Sequence, residues 1–598
     1  MRSGLTELLF IPLVVVLGLL APVLVQAEIK PDYLMLTDPE VQLPPSVKKY
    51  SPRLKELWLE ALSMPEHDMQ RQAAETIAKA HQMGVPDLED AIPQLEKLLV
   101  SDSSHPATRF AAARALIALK AKHSAPQLLD AAQQHQSELR QLIEPALAEW
   151  DFAPARPIWL ARLSDRSARP REISLALRSL AQVREVSSLE AVRRMALDRQ
   201  LRSDLRLEAA QTASQFVEQG LERDAAQLVK SGDTKASQGP KPASLSSVVD
   251  RLCAVKLLAR HANEESKTLL VELAQDAEPS VAAAALARLI KIDPSLVLPF
   301  AEVALNHLDP HVRRHAAESF IQRPTPARMA PLARLLDDVH PQVRGEIREG
   351  LFRLAAMPEL SDPIRVAASH ELSRNSWRGQ EQAALLLAAL DHQPAAGRLV
   401  ELLESTRPEV MIAAAWGLRR LAVAETLPAM LDKARRQTAI RVKEHVAGLD
   451  EQVAHLCEAF GRMKYVASES LLREYIPLNM AMGTASRGAA IWSLGWLHAG
   501  NPAGDLPGLL IARVLDPATM PPEWDLVREC SAVSLARMKA VDQVEALRGF
   551  AKNRSGYERS GVIVRWALTQ LTGEKFAPEL PKFISPGLWF LEPIEPTR

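Results

Sequence analysis

The sequence predicts an all-α chain built as a superhelix of short antiparallel helix pairs. Three observations predict it: length, composition and a recurring 31-residue pattern. At 598 residues the chain exceeds the roughly 250–300 that one core can fill, so it is either several domains or a repeat array. It is rich in Ala, Leu, Arg, Glu and Gln, which favour helices, whereas aromatics are 5 % and glycines number 24, too few for an all-β chain. The 42 prolines fall mostly between helical patterns or at first helical turns, where the missing N–H costs nothing.

The recurrence is clearest between residues 276 and 356. Glu278-Pro279-Ser280-Val281, Asp309-Pro310-His311-Val312 and His340-Pro341-Gln342-Val343 place their prolines 31 residues apart, twice. Ala285, Ala316 and Ile347 follow the valines by four residues, and Leu289, Phe320 and Leu351 by eight, which puts them on one helical face. Each Pro opens the second helix of its pair, and the Asp or Glu before it suits a helix amino end. Neither helix of such a pair buries its apolar face alone, so neighbouring pairs must stack.

The amino terminus carries an uncharged run, Leu8 to Val25, followed by Gln26 and Ala27. The expectation is a signal peptide over residues 1–27, cleaved to leave Glu28 first. The rival is an uncleaved anchor in which residues 8–25 span the membrane. Either places residues 28–598 outside the cytosol, in a periplasm or at a cell surface. An extended segment (28–49) is expected next, then an amino-terminal array over 50–230. Residues Ser231 to Ser247, polar and small with Gly and Pro, are expected as an exposed loop or linker between it and the main array at 248–573, and the sequence leaves open whether the superhelix continues across them. The last helix should end at Thr572-Gly573. The Pro-rich tail (574–598), with Phe583, Trp589 and Phe590, is expected to cap the last repeat.

The segment Asp309-Pro310-His311-Val312-Arg313-Arg314-His315-Ala316-Ala317 resembles the HEAT-repeat family. So do Pro341-Gln342-Val343-Arg344, Asp362-Pro363-Ile364-Arg365-Val366-Ala367-Ala368 and Pro408-Glu409-Val410-Met411-Ile412-Ala413-Ala414-Ala415. Val527-Arg528-Glu529-Cys530-Ser531-Ala532, His105-Pro106-Ala107-Thr108-Arg109 and Arg206-Leu207-Glu208-Ala209-Ala210 are degenerate copies. The resemblance implies a right-handed α-α superhelix of a dozen or so helix pairs over about residues 50–573. It also implies a surface for binding another protein. The spacing is uneven, since Pro341 to Pro363 is 22 residues and Pro363 to Pro408 is 45.

No catalytic signature is present: there is no GxSxG, GxxxxGK, strand-following GxGxxG or HExxH. No cofactor is expected. The HEAT-repeat enzyme deoxyhypusine hydroxylase uses several His-Glu pairs, whereas this chain has one, His370-Glu371, among 15 histidines. Nothing here matches a known active residue of the similarly built phycobilin lyases. His311 and His315, four apart on one helix after His307, are the metal candidates; Glu318 is expected to point elsewhere. The ordinary reading is a solvated pair.

Arg313, Arg344 and Arg365 recur after the helix-starting Val or Ile, with Arg348 one turn beyond Arg344. They form either an ion-pair ladder with residues such as Asp309 and Asp338, or a basic stripe for an acidic partner, such as a protein segment or an anionic glycan. Trp492 and Trp496, one turn apart, form either a core stripe or an aromatic platform for a sugar or peptide. Cys253, Cys457 and Cys530 are isolated and read as small buried apolar residues.

With 72 basic against 73 acidic residues, the net charge of −1 disfavours nucleic acid. The expected function is an exported, non-catalytic scaffold for protein partners. The alternatives are an envelope polysaccharide-binding protein and an accessory subunit of an envelope enzyme complex.

Overall fold

The structure is a computed structural model. It describes residues 29–591 except 49, 52, 136, 166, 231–246, 445–449, 480, 517–521, 555–556, 577–581 and 585–588. The apolar run 8–25 and nearly all of the expected linker lie outside the described residues.

A short helix α1 (Leu34–Thr37) and strand β1 (Ser46–Lys48) precede fifteen helix pairs among the described residues. The pairs are α2 (Arg53–Ser63) with α3 (His67–Gln82), α4 (Ile92–Val100) with α5 (Pro106–Ala118), α6 (Ala125–Gln134) with α7 (Ser137–Glu149), α8 (Arg156–Ser164) with α9 (Pro170–Gln182), and α10 (Leu189–Leu197) with α11 (Ser203–Phe216). Next are α12 (Glu222–Lys230) with α13 (Val248–Leu257), α14 (Glu264–Leu273) with α15 (Pro279–Ile292), α16 (Leu298–Ala304) with α17 (Pro310–Gln322), α18 (Pro326–Ala333) with α19 (Pro341–Leu354), and α20 (Pro358–Ser373) with α21 (Trp377–Ala389). The last five are α22 (Ala396–Leu402) with α23 (Pro408–Leu421), α24 (Leu427–Glu444) with α25 (Asp450–Arg462), α26 (Glu469–Arg473) with α27 (Thr484–Leu497), α28 (Leu506–Leu515) with α29 (Asp525–Met538), and α30 (Val544–Lys552) with α31 (Arg559–Thr572). Strand β2 (Lys582–Ile584) follows.

Each second helix packs on the second helix of the next pair along the whole array, whereas most successive first helices touch sparsely. The second helices therefore form the tight inner layer. Six of them open with Pro at the first helical turn, as the 31-residue pattern requires. Asp309 caps α17 by accepting from the N–H groups of His311 (2.8 Å) and Val312 (3.2 Å).

A second recurrence, invisible in composition, joins one pair to the next. Lys120, Asp151, Arg184, Asp391, Lys464 and Lys539 all adopt positive φ just after an inner helix. In each case the following residue donates back five positions, as Ala121 does to Leu116 and Tyr465 to Phe460. This is the Schellman stop, and it is made without glycine at a cost of about 1 kcal/mol or more per position.

The arginine four residues into the inner helix also has a fixed place. Arg109, Arg206, Arg313, Arg344, Arg487 and Arg528 all donate to backbone carbonyls where the preceding outer helix ends. Several then reach an acid of the same or the next pair: Arg206 to Asp250 (2.5 Å), Arg313 to Asp338 (2.6 Å) and Arg487 to Glu523 (2.6 Å). Each such arginine satisfies orphan carbonyls, and those that also hold an acid of the next pair tie three elements together.

The superhelix, whose continuity past residues 231–247 the sequence leaves open, runs on among the described residues: α13 packs on α11 and α15, and one apolar core takes in residues from Leu177 to Leu568. The amino-terminal core, from Leu54 to Leu180, meets this one at α9. Two expectations are corrected. Pro363 does not open a helix but lies inside α20, because that outer helix starts early at Pro358; this absorbs the uneven spacing. The tail caps the first repeat rather than the last. Strand β2 pairs in parallel with β1, Val47 facing Phe583. Trp589 packs on Trp58 with ring centroids 5.5 Å apart, and the Trp58 indole donates to the Phe590 carbonyl at 2.6 Å.

The inner layer is tightest at α25, α27 and α29. A Cβ at Gly461 would stand 2.7 Å from Ser493 Cα, and one at Gly495 would stand 2.8 Å from Ser534 Cα. The absence of side chains there lets Ser493 and Ser534 donate across to the carbonyls of Cys457 (2.7 Å) and Ile491 (2.8 Å). Gly461→Ala and Gly495→Ala should each destabilise the chain by about 1–3 kcal/mol through overpacking, read as a lowered urea midpoint. An unchanged midpoint would mean that this approach is not tight.

Candidate functional site

The extended amino-terminal segment is bound along the inner face of the carboxy-terminal half. Residues 29–38 form a strap across the inner helices from α19 to α31. The Ile29 N–H donates to Glu349 on α19 at 3.0 Å. The Asp32 carboxylate accepts from the Trp416 indole (2.8 Å) and from Arg419 (2.5 Å), both on α23. The Tyr33 ring stacks on His455 at 4.8 Å, and the Met35 N–H donates to Glu458 at 3.0 Å, both on α25. On α27, Gly488 leaves room for the Met35 sulfur, since a Cβ would stand 3.0 Å from it. Asp38 accepts from Trp492 through its carbonyl and from Trp496 through its carboxylate, both at 3.2 Å. Arg537 on α29 pairs with the same carboxylate at 2.5 Å while lying over the Trp496 ring (4.3 Å) and the Trp492 ring (5.3 Å). Arg559 on α31 donates to the Leu36 carbonyl at 2.7 Å.

The Trp pair therefore has features of both expected readings. Trp492 is buried at 2 % exposure, and what it meets is the chain's own peptide. Two observations lay beyond sequence reasoning: the grip of Asp32 and Asp38, and the role of residues 29–38 as a strap. The Trp492/Trp496 spacing was the one available signal.

Charges under the strap are held in a dry setting. Partial burial opposes ionisation of Asp32, but the Trp416 N–H and the Arg419 guanidinium outweigh it and hold its carboxyl below the usual range. Arg419 bridges Asp32 and the fully buried Glu458, the latter at 2.5 Å. Burial holds the His455 imidazole below its ordinary value. Its nearest carboxylate oxygen, on Glu458, is 3.8 Å away, beyond hydrogen-bond reach.

The inner face of the amino-terminal half is open by comparison. A cleft of about 1290 Å³ lies over α7, α9 and α11, lined by Gln141, Glu149, Arg171, Arg178 and Asp204 among others. Its charges are mixed, with Arg140 on Glu172 (2.6 Å) and Arg178 on Glu208 (2.5 Å).

The four arginines named from the sequence do not form one stripe. Arg313 is buried against Asp338. Arg344 donates to the carbonyls of Asp338 (2.8 Å) and Val339 (3.2 Å) and lies over Trp377 at 5.8 Å. Arg348 donates to Gln382 (2.9 Å) and Glu349 (3.0 Å), and Arg365, on an outer helix, meets Asp362 at 3.4 Å. His311 is exposed, whereas His315 meets Glu318 at 3.3 Å. Glu318 thus does not point away, because residues three apart share a face. Among the described residues no group of three or more His, Cys, Asp or Glu side chains is placed to hold a metal ion. The three cysteines are buried and unpaired, and burial pushes the Cys253 thiol up to about 11. No described helix is long and apolar enough to cross a membrane.

A family model for HEAT repeats matches residues 56–148 and 266–351, and with the architecture above this chain is a HEAT-repeat α-solenoid. No curated protein matches its sequence. Among solved structures, Kap95p binding RanGDP is 13 % identical, covers 88 % of this chain and 72 % of its own, and superposes with a TM-score of 0.50. Kap121p is 12 % identical over 87 % of this chain and 56 % of its own, also at 0.50. Kap121p bound to Nup53p is 12 % identical over 88 % and 57 %, at 0.50. At these identities the likeness is one of fold, and this chain spans a little over half the length of Kap121p.

Two outcomes follow for the strap. Asp38→Ala leaves Arg537 half-buried without its carboxylate, and should cost about 1–2 kcal/mol and speed hydrogen exchange over residues 29–38; unchanged exchange there would mean that the pair does not hold the strap. For His455 the native imidazole binds a proton less readily than the unfolded one, so stability is lost as pH falls below about 6.5. Corrected for the slower intrinsic exchange in acid, protection of the strap amides should fall between pH 7 and 5 in the natural chain and stay flatter in His455→Phe. Equal pH slopes would show that His455 does not couple to the strap.

Proposed function

We propose that this chain is an exported, non-catalytic scaffold whose inner face holds an extended segment of a partner protein. The observation that carries this reading is the strap. The inner helices already bind a ten-residue segment, extended at both ends of the one-turn helix α1, through carboxylate–arginine pairs, indole N–H groups and a stacked ring. Binding of this kind draws on preorganised side chains, so the peptide bears most of the ordering cost. The open cleft over α7, α9 and α11 offers the same layer of helices to another chain.

Support for a protein partner also comes from the solved structures of like fold, one of which is Kap95p binding RanGDP and another Kap121p bound to Nup53p. For export, the support is the apolar run 8–25 and the small residue at Ala27. Cleavage there would leave the described strap contacts, which begin at Ile29, intact. The polysaccharide reading loses its aromatic platform, since Trp492 and Trp496 are engaged by Asp38.

The test is proximity crosslinking of the intact protein in envelope fractions, with a photoreactive residue at Gln141 or Arg171 in the open cleft. One stoichiometric protein partner crosslinked from these positions is the expected result. Retention of cell-wall sugar with no protein would overturn the reading.

A further inference from the structure

The chain grips its own strap twice with one arrangement: an arginine beside or over a tryptophan, with an aspartate on the arginine. At α23, Arg419 and the Trp416 indole hold Asp32, and Arg420 lies over the Trp416 ring at 5.6 Å. At α27 and α29, Arg537 lies over Trp496 at 4.3 Å and holds Asp38.

A third assembly of the same groups stands where α19, α21 and α23 begin. Trp377, half-buried at the first position of α21, has Arg407 4.3 Å, Arg378 5.0 Å and Arg344 5.8 Å from its ring centroid. Among the described residues none of these three guanidiniums is ion-paired. Neighbouring acids are engaged elsewhere: Asp337 accepts from the Ser376 hydroxyl and the Gly379 N–H, Asp338 holds Arg313, Glu371 holds Arg374, and Glu404 holds Lys433 and Arg436. Glu381 and Glu409, nearby in sequence, make no ion pair with the three. The Arg344 Nε is buried without a hydrogen-bond partner. Helices α19 and α23 also begin here without side-chain caps, which adds the positive potential of their amino ends.

Like charges converging on one ring repel each other, and an acid between them removes that cost while meeting planar, bidentate donors. We propose that Trp377 with Arg344, Arg378 and Arg407 is a docking point for an aspartate or glutamate of an extended partner segment, gripped as Asp32 and Asp38 are. The proposal rests on the scaffold reading and names the chemistry of the partner. The strap begins close by in the array: Glu349, which holds Ile29, stands on α19, the helix that carries Arg344.

The probe is fluorescein-labelled octaglutamate, titrated onto the full chain at about 50 mM salt and read by anisotropy. The double variant Arg378→Glu/Arg407→Glu should bind at least about tenfold more weakly. Arg548→Glu, at an exposed pair with Glu545 and Glu574 on α30, should bind as the natural chain does. Arg407→Gln alone, at an exposed position, should weaken binding less; melting curves for all three establish that they fold. Equal binding by the double variant overturns the proposal, as does binding of a heparin-derived oligosaccharide with none of octaglutamate. If the double variant still crosslinks its partner at full stoichiometry, the proposal falls and the scaffold reading stands. If the natural chain crosslinks no partner, the scaffold reading fails and this proposal with it.

Discussion

A pair of helices about thirty residues long cannot bury its apolar face by itself, so every pair in this chain depends on a neighbour. Within the array that need is met by repetition. The inner helices stack from α3 to α31, and at six pairs an arginine four residues into the inner helix stitches it to the outer helix before it. At the two ends repetition fails, and the chain supplies substitutes. The carboxy-terminal tail returns to the first pair, where Trp589 covers Trp58 and β2 extends β1. The amino-terminal strap covers the inner face of the last seven pairs at the helices it touches. The terminal segments are thus exchanged, each serving the opposite end.

That exchange decides which inner surfaces are free. The strap adds the Asp32 carboxylate to the buried Arg419–Glu458 pair and gives Arg537 its acid partner, Asp38. It also covers the aromatic pair that would otherwise be the most adhesive feature of the surface. What remains accessible is the cleft of the amino-terminal half and the rim where inner helices begin, including Trp377. A solenoid of this size has ample surface; its own termini narrow the choice of where a partner can sit.

The repeats differ in what they tolerate. Where α25, α27 and α29 approach most closely, Gly461 and Gly495 remove side chains and serine hydroxyls cross to the next helix. Where α20 begins early, a proline that opens other helices is carried inside one. Such local departures preserve the contact of one inner helix with the next, which is the contact the core requires.

Much of the fold was legible because its signals are local. Proline at a first helical turn, apolar residues four and eight positions on, and an arginine after the valine all act within one pair, and they recur. The unevenness of the spacing was legible as well, though not its form, because a helix start depends on where the preceding turn releases the chain. The ends were not legible. The aromatics of the tail announced that they would be buried, but a partner some 530 residues away leaves no periodic mark, and both repeats at the ends offer apolar surface. Trp492 and Trp496 could be read as core or as platform; their spacing is the same in either case, and the presence of Asp38 against them decides between the two. The sequence by itself determined the helix pairs and their stacking, since these follow from periodicity and capping along a few neighbouring residues. Only the tertiary structure decided which surface the termini occupy and which arginines are left without an acid, because those outcomes depend on segments that meet far apart in the chain.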